Sequence, residues 1–354
     1  VSEEPDPSSV RLPGDWEHFD VRANGVRFHA VQPAGVPAGD RPLVLLLHGF
    51  GEFWWSWRHQ LTALTDAGFR AVAVDLRGYG DTDKPPRGYD GWTLAGDTNG
   101  LVRALGHSRA TLIGHSDGGL VCWATATLHP RVVDRIVVIA SPHPRALRRR
   151  VLRDKAQRAR FLPLFLRNQI PRLGERQVTR DDAAFVSDYF AERSSAPWRA
   201  EPDYGHTVEL NRSAMLIPNV AHCSLEYRRW AFRSQFRPDG ARFMELMDQR
   251  LHLPVLALRG RDDPYILDDA MADSHRWAAH QLYRQVEGSG HFVHQEQPAA
   301  VTGHIIEFLR HEPEPTADGT RRSARKVRRG RSAVYSPARF AARIRRSRSG
   351  PDGR

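Results

Sequence analysis

The segment Ala110-Thr-Leu-Ile-Gly-His-Ser-Asp-Gly-Gly119 reads as an apolar strand that runs into Gly-x-Ser-x-Gly and then into a helix from Gly118 to Leu128. A serine at the tip of such a turn stands at a helix N-terminus, where the helix dipole favours developing negative charge. Glycines at positions 114 and 118 remove the side chains that would collide across the turn. Ser116 is therefore the candidate nucleophile. Asp117 is its rival, because a carboxylate can also attack from such a turn, but shifting the register by one would put His115 where a small residue is needed. The Asp117 side chain is expected to face the cleft or solvent, while its backbone N–H supplies one oxyanion donor.

A hydroxyl nucleophile needs a base, and the base needs an acid to orient it. Leu256-Ala-Leu-Arg-Gly-Arg-Asp-Asp-Pro264 places Asp262 and Asp263 directly after a late apolar run. Asp263 is preferred, since the residue before Pro264 is expected to turn back toward the cleft. The base should come last, in Gly288-Ser-Gly-His-Phe-Val-His-Gln-Glu296, where His291 lies on the loop and His294 lies further into the next segment. A second oxyanion donor is expected from the loop after an early strand. Leu43–Leu47 runs into His48-Gly49-Phe50-Gly51, which leaves the Phe50 N–H as that donor and His48 as a structural loop histidine.

These groups must be held by elements that the sequence spells out. Trp16–Arg22 and Val26–Gln32 flank Asn24-Gly25, a two-residue hairpin signal. Leu43–Leu47, Arg70–Val74, Ala110–Ile113 and Ile136–Ile139 are short apolar runs of the kind buried on both faces of a parallel sheet, separated by helix-sized segments at 54–67, 94–105 and 118–128. The alternation predicts an α/β fold, a mostly parallel, doubly wound sheet. The rhythm breaks over 142–251, where Arg-rich and aromatic helical stretches read as an inserted helical lid. It returns with Val255–Leu258, a helix around 269–279, a strand over 281–286 and a last helix over 299–310. The expected organisation is thus an N-terminal extension (1–15), a core (16–141 and 252–311) interrupted by the lid (142–251), and a basic, disordered tail (312–354).

The 354 residues carry a net charge of +11. The 13 basic and 4 acidic residues of the last 43 account for a surplus of nine, which leaves only two on residues 1–311. Nucleic-acid binding by the folded body is therefore not indicated. The tail runs Arg321–Arg331 and Arg339–Arg348 allow weak contact with anionic membrane or nonspecific contact with nucleic acid, or are a solvated extension without function. Arg145–Arg160 in the lid is a solvated helix face or a membrane contact. No apolar run reaches membrane-span length, and the first residues, VSEEPDPSSV, contain no basic-then-apolar signal region, so a cytoplasmic protein is the expectation, with membrane association as a second reading. Cys122 and Cys223 are too few for a disulfide framework or a cysteine metal site, and neither cofactor nor metal is expected. Oligomeric state is not legible in these patterns.

Nucleophile, acid and base in the order Ser116, Asp263, His291 match α/β-hydrolases. Over residues 16–311 the chain resembles the epoxide-hydrolase-like branch of that family, through HGFGEFWWSWRHQL (48–61), DLRGYGDTDKP (75–85), GHSDGG (114–119), SPHP (141–144), RGRDDP (259–264) and GHFVHQEQP (290–298). The resemblance implies a helical lid between the sixth and seventh core strands. It also implies Asp followed by Trp at the elbow, where this chain has Ser116 and Asp117, and two lid tyrosines that polarise an epoxide oxygen. Leu225-Glu-Tyr-Arg keeps Tyr227 and Arg228 of the Asn-Trp-Tyr-Arg lid motif, whereas Phe165–Gln169, where the other tyrosine is sought, has none. The Gly51 position is proline in many relatives. A serine that opened an epoxide would leave an alkyl ether with no carbonyl for water to attack, so the expected substrate is a small, mostly apolar acyl compound. Trp54, Tyr189 and Tyr227 are expected to line its pocket, among the aromatics at 53, 55, 57, 185 and 190, several of which are equally expected to be core. The alternatives are an epoxide hydrolase, with Asp117 as nucleophile or His291 activating water directly, and a silent, ligand-binding homologue.

Overall fold

The computed structural model describes residues 4–36, 39–170 and 172–311. The expected tail lies outside them. The strands are β1 (Trp16–Ala23), β2 (Val26–Pro33), β3 (Leu43–Leu47), β4 (Arg70–Val74), β5 (Ala110–His115), β6 (Val133–Ile139), β7 (Leu251–Gly260) and β8 (Ala278–Val286). They form one sheet in the order β1-β2-β4-β3-β5-β6-β7-β8. β1 and β2 are antiparallel and join through Asn24 and Gly25, both at positive φ (45° and 76°), with Ala23 opposite Val26. β2 meets β4 antiparallel, and every later pair is parallel. Every residue of β3 and β5 is buried, as strands covered on both faces require.

The helices between the first core strands are α1 (Arg58–Asp66), α2 (Gly91–Ala104) and α3 (Asp117–Leu128). Asp90 starts α2 by accepting the backbone N–H groups of Trp92 and Thr93 at 3.1 and 2.9 Å. The segment expected as one helix from Trp54 opens instead as a 3-10 turn over Trp54–Trp57.

Between β6 and β7 come α4 (Pro144–Arg153), α5 (Lys155–Arg167), α6 (Leu173–Ala191), α7 (Ala196–Arg199), α8 (Pro202–Leu216), α9 (Val220–Arg233) and α10 (Pro238–Leu246), with no strand among the described residues. α6 is two legs joined at Arg180–Ala183, where Asp181, Asp182 and Ala183 are left-handed and Arg212 donates to the Asp182 carbonyl at 2.8 Å. Its second leg carries Tyr189. In the Arg145–Arg160 run, Arg145 pairs with Asp248, and Arg150 pairs with Asp269 and Asp273.

β7 begins at Leu251, four residues before the expected start. Its first leg pairs only with β8 and meets β6 from Val255 onward, so Pro254, which has no N–H, sits where one ladder is absent. The expected helix around 269–279 is a short α11 (Asp268–Ala272) and a 3-10 turn, because β8 claims the chain from Ala278. α12 (Val293–Glu296) and α13 (Pro298–Arg310) complete the body. No helix among the described residues is long and apolar enough to cross a membrane.

Candidate active site

Ser116 stands between β5 and α3 with φ 49° and ψ −113°, a conformation that costs a non-glycine residue on the order of 1–3 kcal/mol. Its surroundings enforce it. The Ser116 N–H donates to the Ile139 carbonyl at 3.0 Å, and its own carbonyl accepts from the Ser141 hydroxyl at 2.7 Å and the Leu120 N–H at 3.1 Å. A Cβ at Gly118 would collide with the Leu47 carbonyl oxygen, and one at Gly114 with the Gly118 backbone, so both glycines are required by contact.

β7 ends in the loop that carries Asp263. One oxygen of its buried carboxylate accepts the backbone N–H groups of Tyr265 and Ile266 at 2.7 and 3.0 Å, and the other meets His291 Nδ1 at 2.9 Å. Arg259 fixes the loop by donating to the carbonyls of Ile266 and Asp263. Asp262 is exposed and turned outward. Burial pushes the Asp263 carboxyl up, but the His291 ring and the two N–H groups outweigh it and hold the group below its ordinary value.

His291 is fully buried. Burial pushes its pKa down, opposed by Asp263 and aided by His115 and Arg193, so the ring is neutral at neutral pH. Its Nε2 is buried without a partner and makes no hydrogen bond to the Ser116 hydroxyl in this structure. The His291 N–H donates to the Arg193 carbonyl at 2.8 Å, and a Cβ at Gly290 would strike that same carbonyl, so the lid rests directly on the histidine loop.

Two backbone donors lie beside the elbow. The Phe50 and Asp117 N–H groups have no acceptor among the described residues; the latter is one of the orphan donors that open α3. A Cβ at Gly49 would lie 3.0 Å from that of Ser116, so the Phe50 loop abuts the nucleophile. His48 uses both ring nitrogens locally, accepting the Leu76 N–H at 3.0 Å and bonding the Gly49 carbonyl at 2.8 Å.

Behind the elbow lies an ion pair that sequence reasoning missed. Glu52 Oε2 accepts from His115 Nδ1 at 2.6 Å and from the Gly49 N–H at 2.8 Å, and Oε1 accepts from Gln295 at 2.8 Å. His115 Nε2 donates to the His291 carbonyl at 3.0 Å. Both ring nitrogens therefore act as donors, which requires the imidazolium. Burial drives the His115 pKa down, but Glu52 raises it further; reciprocally, burial raises Glu52 and His115 brings it down to about 2. Glu52, His115 and His294 have metal-ligand chemistry, with donor atoms within 4.8 Å of one another, but neither His115 nitrogen is free to coordinate. The signal in the sequence was the presence of Glu52, His115 and His294 inside three of the family segments.

Of the expected pocket residues, Tyr189 lies 5.4 Å from the Phe50 ring. Trp54 does not line the pocket. It is fully buried, and its indole N–H donates at 2.7 Å to the Val10 carbonyl of the N-terminal turn, where that group finds its acceptor. Tyr227 is likewise elsewhere. Its hydroxyl donates to the Arg77 carbonyl at 2.8 Å and its ring packs on Tyr79 and Tyr89. Arg228, one position along α9 and so about 100° around the helix, takes the place over Phe50 at 3.6 Å. A guanidinium therefore stands among the aromatics expected to line an apolar pocket.

The sheet order, the strained serine after β5 and the acid–histidine pair after β7 and β8 define a hydrolase. The family profile described as alpha/beta hydrolase fold matches residues 42–298. The chain is 33% identical to "Epoxide hydrolase 4" of Mus musculus over 319 residues, covering 86% of this chain and 83% of that one. It is 31% identical to "Epoxide hydrolase A" of Mycobacterium tuberculosis, covering 82% and 96%. Among solved structures, Epoxide Hydrolase A from Mycobacterium thermoresistibile superposes with a TM-score of 0.66 at 28% identity, over 83% of this chain and 98% of that one. The chain belongs to the α/β-hydrolase family, in its epoxide-hydrolase-like branch.

Proposed function

We propose that this hydrolase acts on small acyl compounds (esters, thioesters, lactones or activated amides) through Ser116, His291 and Asp263. The observation that carries the reading is the serine at the strained tip of the elbow, where a carboxylate nucleophile would otherwise stand. His291 Nε2 takes the Ser116 proton as the hydroxyl attacks the acyl carbon, and Asp263 holds the ring with Nδ1–H toward itself and stabilises the imidazolium. The Phe50 and Asp117 N–H groups receive the oxyanion. His291 then protonates the leaving group, and water, activated by the same ring, releases the acid. The ether argument closes the epoxide route to a serine nucleophile.

The second reading is epoxide hydrolysis, favoured by the relatives named above and by the Asp117 carboxylate, whose Oδ2 is buried and unbonded. It would use Asp117 as nucleophile or water activated by His291. A parallel screen of 4-nitrophenyl esters and styrene-type epoxides, with Ser116→Ala as control, separates them. Ester turnover that falls on the order of 10⁶-fold in Ser116→Ala supports the acyl reading. Epoxide turnover that survives Ser116→Ala supports the other, and tight ligand binding without product would indicate a silent homologue.

A further inference from the structure

Five arginines of the body are nearly fully buried: Arg58, Arg77, Arg228, Arg229 and Arg259. Four are satisfied. Arg58 pairs with Asp203 at 2.5 Å, Arg77 with Asp97 at 2.6 Å and Arg229 with Glu175 at 2.7 Å, while Arg259 donates to three backbone carbonyls. Arg228 is the exception. It is 3% exposed, its Nη1 is buried without a partner, and its Nη2 reaches only the Tyr189 hydroxyl, at 3.4 Å. No carboxylate among the described residues lies within 4 Å of it. Asp117 acts on it through space alone and keeps its own Oδ2 unbonded.

A buried guanidinium with neither an anion nor carbonyl acceptors for its N–H groups is unfavourable, and a ligand that supplies the acceptors relieves the cost. Its location says which ligand. The guanidinium stacks on the ring of Phe50, whose N–H is a candidate oxyanion donor, and touches Tyr189 of the lid. A ligand held over the Ser116 elbow would lie beside it. A planar oxyanion would supply the acceptor that Nη1 lacks.

We infer that Arg228 is an anion-recognition residue and that the substrate carries a carboxylate in addition to the acyl group under attack. This rests on the acyl-transfer reading above and deepens it. The carboxylate could belong to the acyl half or to the leaving group, and the two are separable with mono-4-nitrophenyl glutarate, 4-carboxyphenyl pentanoate and the uncharged 4-nitrophenyl pentanoate.

The test has a kinetic and a binding arm. In the wild type, one of the two charged esters is expected to exceed the uncharged one in kcat/KM at least 100-fold. Arg228→Met should remove that preference, mainly through KM. Glutarate or 4-hydroxybenzoate, titrated into Ser116→Ala by calorimetry, should bind at least 30-fold more weakly when Arg228→Met is added. The melting temperature of Arg228→Met without ligand should equal or exceed that of the wild type, since an apolar chain replaces an unpaired charge; Arg228→Lys should restore part of the binding. Arg228-dependent anion binding without any ester turnover would keep the anion site and sink the acyl-transfer reading. Serine-dependent ester hydrolysis with no charge preference and no response to Arg228→Met would overturn the inference while leaving that reading intact.

Discussion

Replacing Glu52 by Gln probes the ion pair behind the nucleophile. The carboxylate is fully buried, and its Oε2 bonds His115 at 2.6 Å. Removing one member of a buried pair costs about 3–5 kcal/mol. His115 can answer by shedding its proton, since burial already pushes it toward the neutral ring, so the lower end, about 3 kcal/mol, is expected. For a body of this size that corresponds to a fall in melting temperature of roughly 5 °C. Urea unfolding should show a lowered midpoint with an unchanged slope.

The pH dependence has a definite sign. Glu52 is lowered from its ordinary 4.5 to about 2, so its stabilisation is complete above 4.5 and is lost as pH falls toward 2. His115 is raised above its ordinary 6.5, so its share is complete below 6.5 and is lost as pH climbs through the raised value. The pair is thus at full strength between about 4.5 and 6.5, and Glu52→Gln should flatten that dependence. Because neutral His115 has only one N–H for two acceptors, its tie to the His291 carbonyl weakens, and kcat should fall with little change in KM. The Glu52→Gln/His115→Gln double variant should be less destabilised than the sum of the singles. A Glu52→Gln protein within about 1 kcal/mol of the wild type, with additive singles, would refute the ion pair.

Other perturbations have equally definite outcomes. Asp263→Asn should lower kcat about 10⁴-fold by fixing the wrong histidine tautomer, whereas exposed Asp262→Asn should stay within a few-fold; equal effects in an ester assay would count against the assignment. The acid limb of kcat/KM should inflect below pH 6.5, because burial lowers His291 and only the neutral ring accepts the serine proton; an inflection above 6.5 would contradict this. Gly118→Ala should cost about 3 kcal/mol, since the added methyl meets backbone that cannot rotate away, and calorimetry would read the loss. Trp54→Phe should lower stability by about 1 kcal/mol through the orphaned Val10 carbonyl and leave KM untouched, while Tyr189→Phe should alter KM.

The parts legible in the sequence were those written locally. Apolar runs of four or five residues name the buried strands, Asn24-Gly25 names the hairpin, and the elbow glycines name a turn that only small flanking residues allow. That Asp263 and His291 meet follows from two loops leaving the same ends of adjacent parallel strands. What escaped depends on direction and distance. Tyr227 and Arg228 are neighbours in sequence yet point about 100° apart, and composition does not say which lies over Phe50. Trp54 reads as a cleft aromatic until the acceptor for its indole N–H, 44 residues earlier, is known. Glu52 and His115 are 63 residues apart, and no spacing rule joins them.

The central claim is that a hydroxyl carries the bond-making step. Mixing the protein with 4-nitrophenyl trimethylacetate, whose acyl-enzyme hydrolyses slowly, followed by acid quench and peptide mass mapping, reads this directly. The expected result is one trimethylacetyl group on the peptide containing Ser116, and none on that peptide from Ser116→Ala. Single turnover in ¹⁸O-water that leaves label in the Asp117 carboxylate, with Ser116 unmodified, would contradict it.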